Sequence, residues 1–158
     1  MPTDAADAQL ARAAADAGVT LGVAESLTGG QLSSRLARLS GAGEWYRGSV
    51  VAYAASVKHD VLDVPDGPVV SEPSASAMAE GAARLLRADV TISVTGEAGP
   101  EPQDDVPVGT VWMAIADTGR TSARRLRFDG DPDDVVRATC DAAIGWLTEH
   151  LLSRVSAR

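Results

Sequence analysis

The chain has 158 residues, 45% hydrophobic and 23% charged, which suits a folded protein with a sizeable core, and residues 1–158 read as a single domain. A formal net charge of −8 opposes binding to a phosphate backbone, so nucleic acid is not an expected partner. No apolar run reaches the roughly 18–20 residues of a bilayer span, the start "MPTDAADAQLARAAADAG" lacks the basic and apolar stretches of a secretion signal, and the one cysteine, Cys140, forms no internal disulfide; these point to the cytoplasm without membrane association.

Residues 4–17 read as a helix opened by Asp4 and stopped by Gly18. A buried strand follows over 19–24 and ends in the polar turn "ESLTGG". Leu32, Leu36 and Leu39 share one face of a helix over 29–39. "SGAGEWYRG" reads as a loop, "SVVAYA" as a strand and 55–63 as a short helix. "VPDGPVVSEP" is loop, punctuated by Pro and Gly, and Ser71 suits the cap of a helix over 72–87. "DVTISVTG" is a strand running into the polar loop "EAGPEPQDDVP". "GTVWMAIAD" and "TSARRLRFDG" make a hairpin across "DTGR", and Asp131 or Asp133 opens a last helix to about 152. The alternation predicts a three-layer α/β/α sandwich with a mixed, partly parallel sheet. In such sheets ligands lie beyond the C-terminal ends of parallel strands, which puts "AESLTGG" and "SVTGEAGP" on one rim.

Among 14 lysines and arginines the only lysine is Lys58. A guanidinium stays charged, whereas a buried ammonium can lose its proton. A neutral Lys58, brought down from about 10.4 by desolvation or a positive field, is able to take the Ser26 proton. Backbone amides of "LTGG" are then candidate holders of an oxyanion, with Tyr53 relaying a proton or orienting the amine. Plainer readings stand beside these: Ser26 or Thr28 as a helix cap, Tyr53 as a packing residue, Lys58 as a surface cation. A Ser–His–Asp triad through His59 is a further alternative; His150 suits a helix C-terminus. The acidic runs "PQDD" and "DGDPDD" read as solvated loops, and no metal or cofactor site is expected.

The segments "TLGVAESLTGGQLSSRL", "GSVVAYAASVKHDVLDV", "VSEPSASAMAEGAARLLRADVTISVTGEAGP" and "VPVGTVWMAIA" together resemble the CinA C-terminal family, in order, from about residue 5 to 152. The resemblance implies hydrolysis of the carboxamide of nicotinamide mononucleotide to nicotinic acid mononucleotide and ammonia. It also implies Ser26 as nucleophile, Lys58 as general base and Tyr53 as an active-site tyrosine. Thr28, Gly29 and Gly30 match the turn at the nucleophile; Thr95, Gly96, Ala98 and Gly99 match a second ligand loop. The chain departs from the family pattern at Glu97, where an apolar residue is usual, at "EPQDD", where glycines are usual, and at "AAS", which stands in place of Asn and Glu. Pro132 replaces an arginine expected to meet phosphate, leaving Arg137 as a substitute. Those changes leave open a reaction on another amide or a nucleotide-binding, regulatory role. Apolar residues in "GEWYRGSVVAY" suggest a surface for a homodimer or larger homo-oligomer.

Overall fold

The computed structural model describes residues 2–102 and 105–158. Its elements run α1 (Pro2–Ala17), β1 (Leu21–Glu25), α2 (Gln31–Ala37), α3 (Ala42–Trp45), β2 (Tyr46–Val51), α4 (Ala55–Leu62), α5 (Glu72–Leu86), β3 (Val90–Gly96), β4 (Thr110–Asp117), β5 (Arg120–Arg127) and α6 (Pro132–Ser156). The strands form one sheet in the order β2-β1-β3-β4-β5. β1 pairs in parallel with β2 and β3, and β3-β4-β5 are antiparallel. The mixed sandwich expected from the alternation of elements is the observed architecture.

The two sheet faces differ in side-chain size, and that difference arranges the layers. Leu21, Val23, Ile92, Val94, Met113 and Ile115 point to one side, where they pack with Leu10, Leu32, Leu36, Ile144 and Leu147 from α1, α2 and α6. The other side carries Gly22, Ala24, Thr91, Ser93, Ala114 and Ala116, and the alanine-rich α5 lies against it. Two strand hydroxyls reach across to helix carbonyls, Thr91 Oγ1 to Ala79 O and Ser93 Oγ to Ala75 O, each at 2.6 Å. Small residues let the helix approach, and the buried hydroxyls find acceptors there.

Several boundaries differ from the sequence expectation for local reasons. Gly29 and Gly30 have φ of 55° and 103°, so they turn the chain and α2 starts only at Gln31. The loop expected at "SGAGEWYRG" contains the one-turn α3, and β2 begins at Tyr46, where the ladder with β1 starts around a register shift at Leu21/Gly22. Trp45 is buried and Tyr46 half-buried within the chain, so the exposed apolar residues of this region are Val51, Tyr53, Val57 and Val61. At the β4–β5 hairpin both central residues, Thr118 and Gly119, have positive φ, the twist that suits a two-residue connection. Ser71 caps α5 by accepting from Ser74 N, and Asp131 opens α6 in a reciprocal capping box with Asp134.

Two contacts fix helices relative to the sheet and make checkable statements. A Cβ at Gly81, on α5, would lie 2.7 Å from the Leu62 carbonyl oxygen at the end of α4. Gly81→Ala gains helix propensity of about 1 kcal/mol, yet a backbone clash of this kind costs typically 1–3 kcal/mol. Urea unfolding is expected to show a net loss of stability, and an unchanged or raised midpoint refutes the contact. At the far end of the sheet, Asp117 on β4 accepts from His150 Nε2 at 2.8 Å and Arg154 Nε at 3.0 Å. Burial opposes its ionisation, but the His150 and Arg154 hydrogen bonds and the Arg154 charge together hold its carboxyl below the ordinary value. A depressed folded pKa contributes stability above the unfolded pKa, and that stability is lost as pH falls through the folded value. Asp117→Asn should therefore lower the melting temperature at pH 7 and narrow its gap to the native chain below about pH 4; a gap that stays constant with pH removes the linkage.

Candidate active site

The site begins with a strand that ends in the middle of the sheet. The Ser26 amide donates to Val94 O at 3.1 Å and the Ala52 amide donates to Glu25 O at 2.8 Å, so the chain at Ser26 stays tied to both neighbours of β1. From there β1 leads into α2, on the large-residue face, while β2 leads into α4, whose Leu62 packs with Met78 and Ala82 on the other face. Adjacent parallel strands whose chains leave toward opposite faces open a crevice between them, the usual ligand position of such sheets.

Glu25 holds the turn that follows. Its carboxylate is fully buried. Oε1 accepts from Thr28 Oγ1 at 2.7 Å and Leu32 N at 2.9 Å; Oε2 accepts from Ser33 N at 3.0 Å and Ser49 Oγ at 3.1 Å. Two of these donors are first-turn amides of α2, so a strand carboxylate does the work of a side-chain helix cap. The helix N-terminal dipole adds to its stabilisation. Ser33 Oγ also shares a 2.6 Å hydrogen bond with Tyr46 Oη, and burial raises the Tyr46 phenol above its ordinary pKa.

Next to this turn, Ser26, Leu27, Tyr53, Ala55, Lys58, Val69, Val70, Thr95, Gly96, Glu97, Ala98 and Gly99 enclose a cavity of ≈ 160 Å³. Lys58 is 2% exposed, and its Nζ donates to the Tyr53 carbonyl oxygen at 2.9 Å. Ser26 is 7% exposed and Glu97 5%. The Glu97 backbone is fixed on both sides, its N–H donating to Thr110 O at 2.9 Å and its C=O accepting from Gly109 N at 2.7 Å. Thr95 Oγ1 donates to Val69 O at 2.8 Å, which ties the loop before α5 into the wall.

Of the residues singled out from the sequence, Ser26, Tyr53, Lys58, Thr95, Gly96, Ala98 and Gly99 line this one cavity. Thr28 does not; it is buried and donates to Glu25. Gly29 and Gly30 shape the turn, and the Gly29 amide is engaged with Ser26 O at 3.1 Å. Tyr53 supplies its carbonyl to Lys58, while the residue itself is 73% exposed at the rim. Arg137 sits in the early turns of α6, exposed, and pairs with Asp134 at 3.2 Å. His59 Nδ1 pairs with Val64 O at 2.8 Å and is not among the lining residues. The altered loop after Gly99 falls partly on Gln103 and Asp104, which lie outside the described residues. Cys140 is no rival nucleophile: burial, reinforced by the Glu25 charge, pushes its thiol up to about 12. Among the described residues no group of three or more His, Cys, Asp or Glu is placed to hold a metal ion, and no helix is long and apolar enough to cross a membrane.

Comparison with known proteins identifies the family. The family model of the CinA C-terminal domain matches residues 3–151. The chain belongs to the CinA C-terminal domain family. A CinA-like protein of Geobacter metallireducens is 40% identical over 153 residues, covering 93% of this chain and 37% of its own length. Another CinA-like protein, from Mycobacterium sp. (strain JLS), is 43% identical over 146 residues, covering 87% of this chain and 33% of its own. The chain thus spans little more than a third of the curated CinA relatives it matches. The CinA superfamily protein of Klebsiella pneumoniae superposes with a TM-score of 0.91 at 34% identity, over 96% of this chain and 98% of that one. The superfamily protein of Escherichia coli gives 0.87 at 32%, over 95% and 90%.

Within this CinA domain the Glu25 network yields a direct test. Glu25→Gln keeps the length of the side chain but replaces one acceptor oxygen with donors among four donor groups. Denaturant unfolding should lose about 1.5–3 kcal/mol. A variant as stable as the native chain would mean the carboxylate is not the cap.

Proposed function

We propose that this chain hydrolyses the carboxamide of nicotinamide mononucleotide, releasing ammonia and nicotinic acid mononucleotide, with Ser26 as nucleophile and Lys58 as general base. The observation that carries the reading is the shared cavity: a serine from the end of β1 and the chain's only lysine, from α4, face one small space although 32 positions separate them. A lysine that is 2% exposed, its amine donating to a backbone carbonyl, is in the desolvated, fixed setting such a base requires.

The neutral Lys58 amine takes the Ser26 hydroxyl proton as Oγ bonds to the carboxamide carbon. The carbonyl π electrons move to oxygen. The backbone amides of Leu27 and Ala98 are the candidate donors to that oxyanion, each such donor being worth about 2.7–4 kcal/mol. Collapse of the tetrahedral adduct breaks the carbon–nitrogen bond, and the Lys58 ammonium gives its proton to the departing nitrogen. Water, deprotonated by Lys58, then attacks the acyl carbon, the bond to Ser26 Oγ breaks, and the Lys58 ammonium returns its proton to Oγ. The exposed Tyr53 ring at the rim is available to stack on the substrate's own ring.

A second reading, hydrolysis of an amide without phosphate, draws on a different observation. Among the described residues no arginine lines the cavity, and Arg137 lies exposed on α6 beside Asp134. One assay separates the two. Ammonia release from nicotinamide mononucleotide should exceed that from the riboside lacking phosphate; the reverse order favours the second reading, and release from neither rejects both. Ser26→Ala and Lys58→Arg should each lower turnover by about 10³-fold or more with folding intact. An active Lys58→Arg enzyme ends the role of Lys58 as base, because a guanidinium keeps its proton.

A further inference from the structure

The cavity wall holds a second ionisable group that the hydrolytic steps do not use. Glu97 follows β3 directly, is 5% exposed and lines the same ≈ 160 Å³ space as Ser26 and Lys58. Its position is not adjustable by loop movement alone, since its N–H and C=O are both bonded to the segment that opens β4. One carboxyl oxygen, Oε1, lies 3.4 Å from the Gly99 amide, a long contact that directs the carboxyl along the 96–99 loop forming the wall. Among the described residues that line the cavity, Glu97 and Lys58 carry the chargeable side chains apart from the Tyr53 phenol.

We propose that Glu97 is a specificity-determining residue that makes this cavity select a carboxamide borne on a permanently cationic ring, an N-substituted pyridinium, over its neutral counterpart. The inference rests on the amide-hydrolysis reading for the identity of the reacting group. In that reaction the amine must enter uncharged, and the Glu97 carboxylate then places a negative charge in the cavity wall. A pyridinium nitrogen places a fixed positive charge on the ring that carries the carboxamide. In a recessed cavity lined by buried side chains the attraction between the two is screened less than at a surface. The same carboxylate repels the carboxylate that hydrolysis creates, so it favours substrate over product in the pocket. An apolar side chain at this position would give neither preference.

The test uses two probes that share the carboxamide and differ in ring charge: 1-methylnicotinamide, a cation, and nicotinamide, which is neutral. Dissociation constants are measured by NMR titration with the folded chain, its Glu97→Gln variant and its Glu97→Leu variant, the last retaining bulk without charge. The native chain should bind the cation about ten-fold more tightly, and both variants should bring the ratio near unity. Equal affinities in the native chain, or an unchanged ratio in whichever variant folds, overturns the proposal. Ammonia release from nicotinamide mononucleotide is followed separately with the same proteins: a native chain that prefers the cation yet releases nothing from the nucleotide leaves the charge selection standing and rejects the hydrolytic reading.

Discussion

A buried carboxylate at the end of the central strand sets the geometry of everything around it. Glu25 leaves β1 where the sheet ends and gathers donors from the turn, from the first turn of α2 and from Ser49 on β2. A buried charge without partners would be prohibitive, and four donors make it tolerable. Because the donors come from three segments, satisfying the charge also fixes those segments to one another. Ser26 is the next residue. Its place is therefore decided from behind by the Glu25 network and from the side by its amide bond to Val94.

The opposite wall of the cavity derives from a different physical choice, the use of small and hydroxylated residues on one sheet face. Thr91 and Ser93 bond to α5 carbonyls, and Thr95, next along the same face of β3, bonds instead to Val69 in the loop before that helix. The same row of hydroxyls thus docks the helix and then anchors the loop that closes the cavity. Gly81 continues the logic on α5, its missing side chain letting the end of α4 approach. α4 carries Lys58, so the packing that places α4 also places the amine. The site is a consequence of how both layers meet the parallel half of the sheet, and α1 and α6 contribute to it only through the core beneath.

Much of this was legible in the chain because local patterns and tertiary structure agree. The alternation of strand and helix signals, the Ser71 cap and the Asp131 start each depend on near neighbours, and each is present. What escaped the sequence was long-range or orientational. Glu25 stands in a polar turn, but its partners lie seven, eight and 24 positions on, beyond any capping pattern, and its neighbours Thr28 and Gly29 suggested substrate contacts instead. Tyr53 was read for its phenol, whereas the contact to Lys58 is made by its carbonyl, which every residue type possesses. The start of β2 was hidden because Trp45, Tyr46 and Arg47 follow glycines that mark a loop; only pairing with β1 draws them into the sheet. Burial of Glu97 was equally unreadable, since a glutamate between two glycines suggests an exposed turn until the bonds to Gly109 and Thr110 are seen.

The bias toward arginine in this chain now has a structural counterpart. Arg35 joins Asp7 and Asp141, so that α2 is bound to α1 and α6; Arg84, Arg124, Arg137 and Arg154 each meet a carboxylate as well. A guanidinium suits these places because its fork matches carboxylate oxygens and its charge never has to be given up. Lys58 occupies the contrary environment, an enclosed cavity with a backbone carbonyl as acceptor for its amine. Five N–H donors brought into ≈ 160 Å³ would fill the space a substrate needs and demand acceptors the wall must find. A compact amine on a flexible stem meets the carbonyl and leaves the cavity open. The solitary lysine is thus accounted for by shape before any proton is transferred, and the chemistry proposed for it adds a second, independent reason that an arginine would not serve.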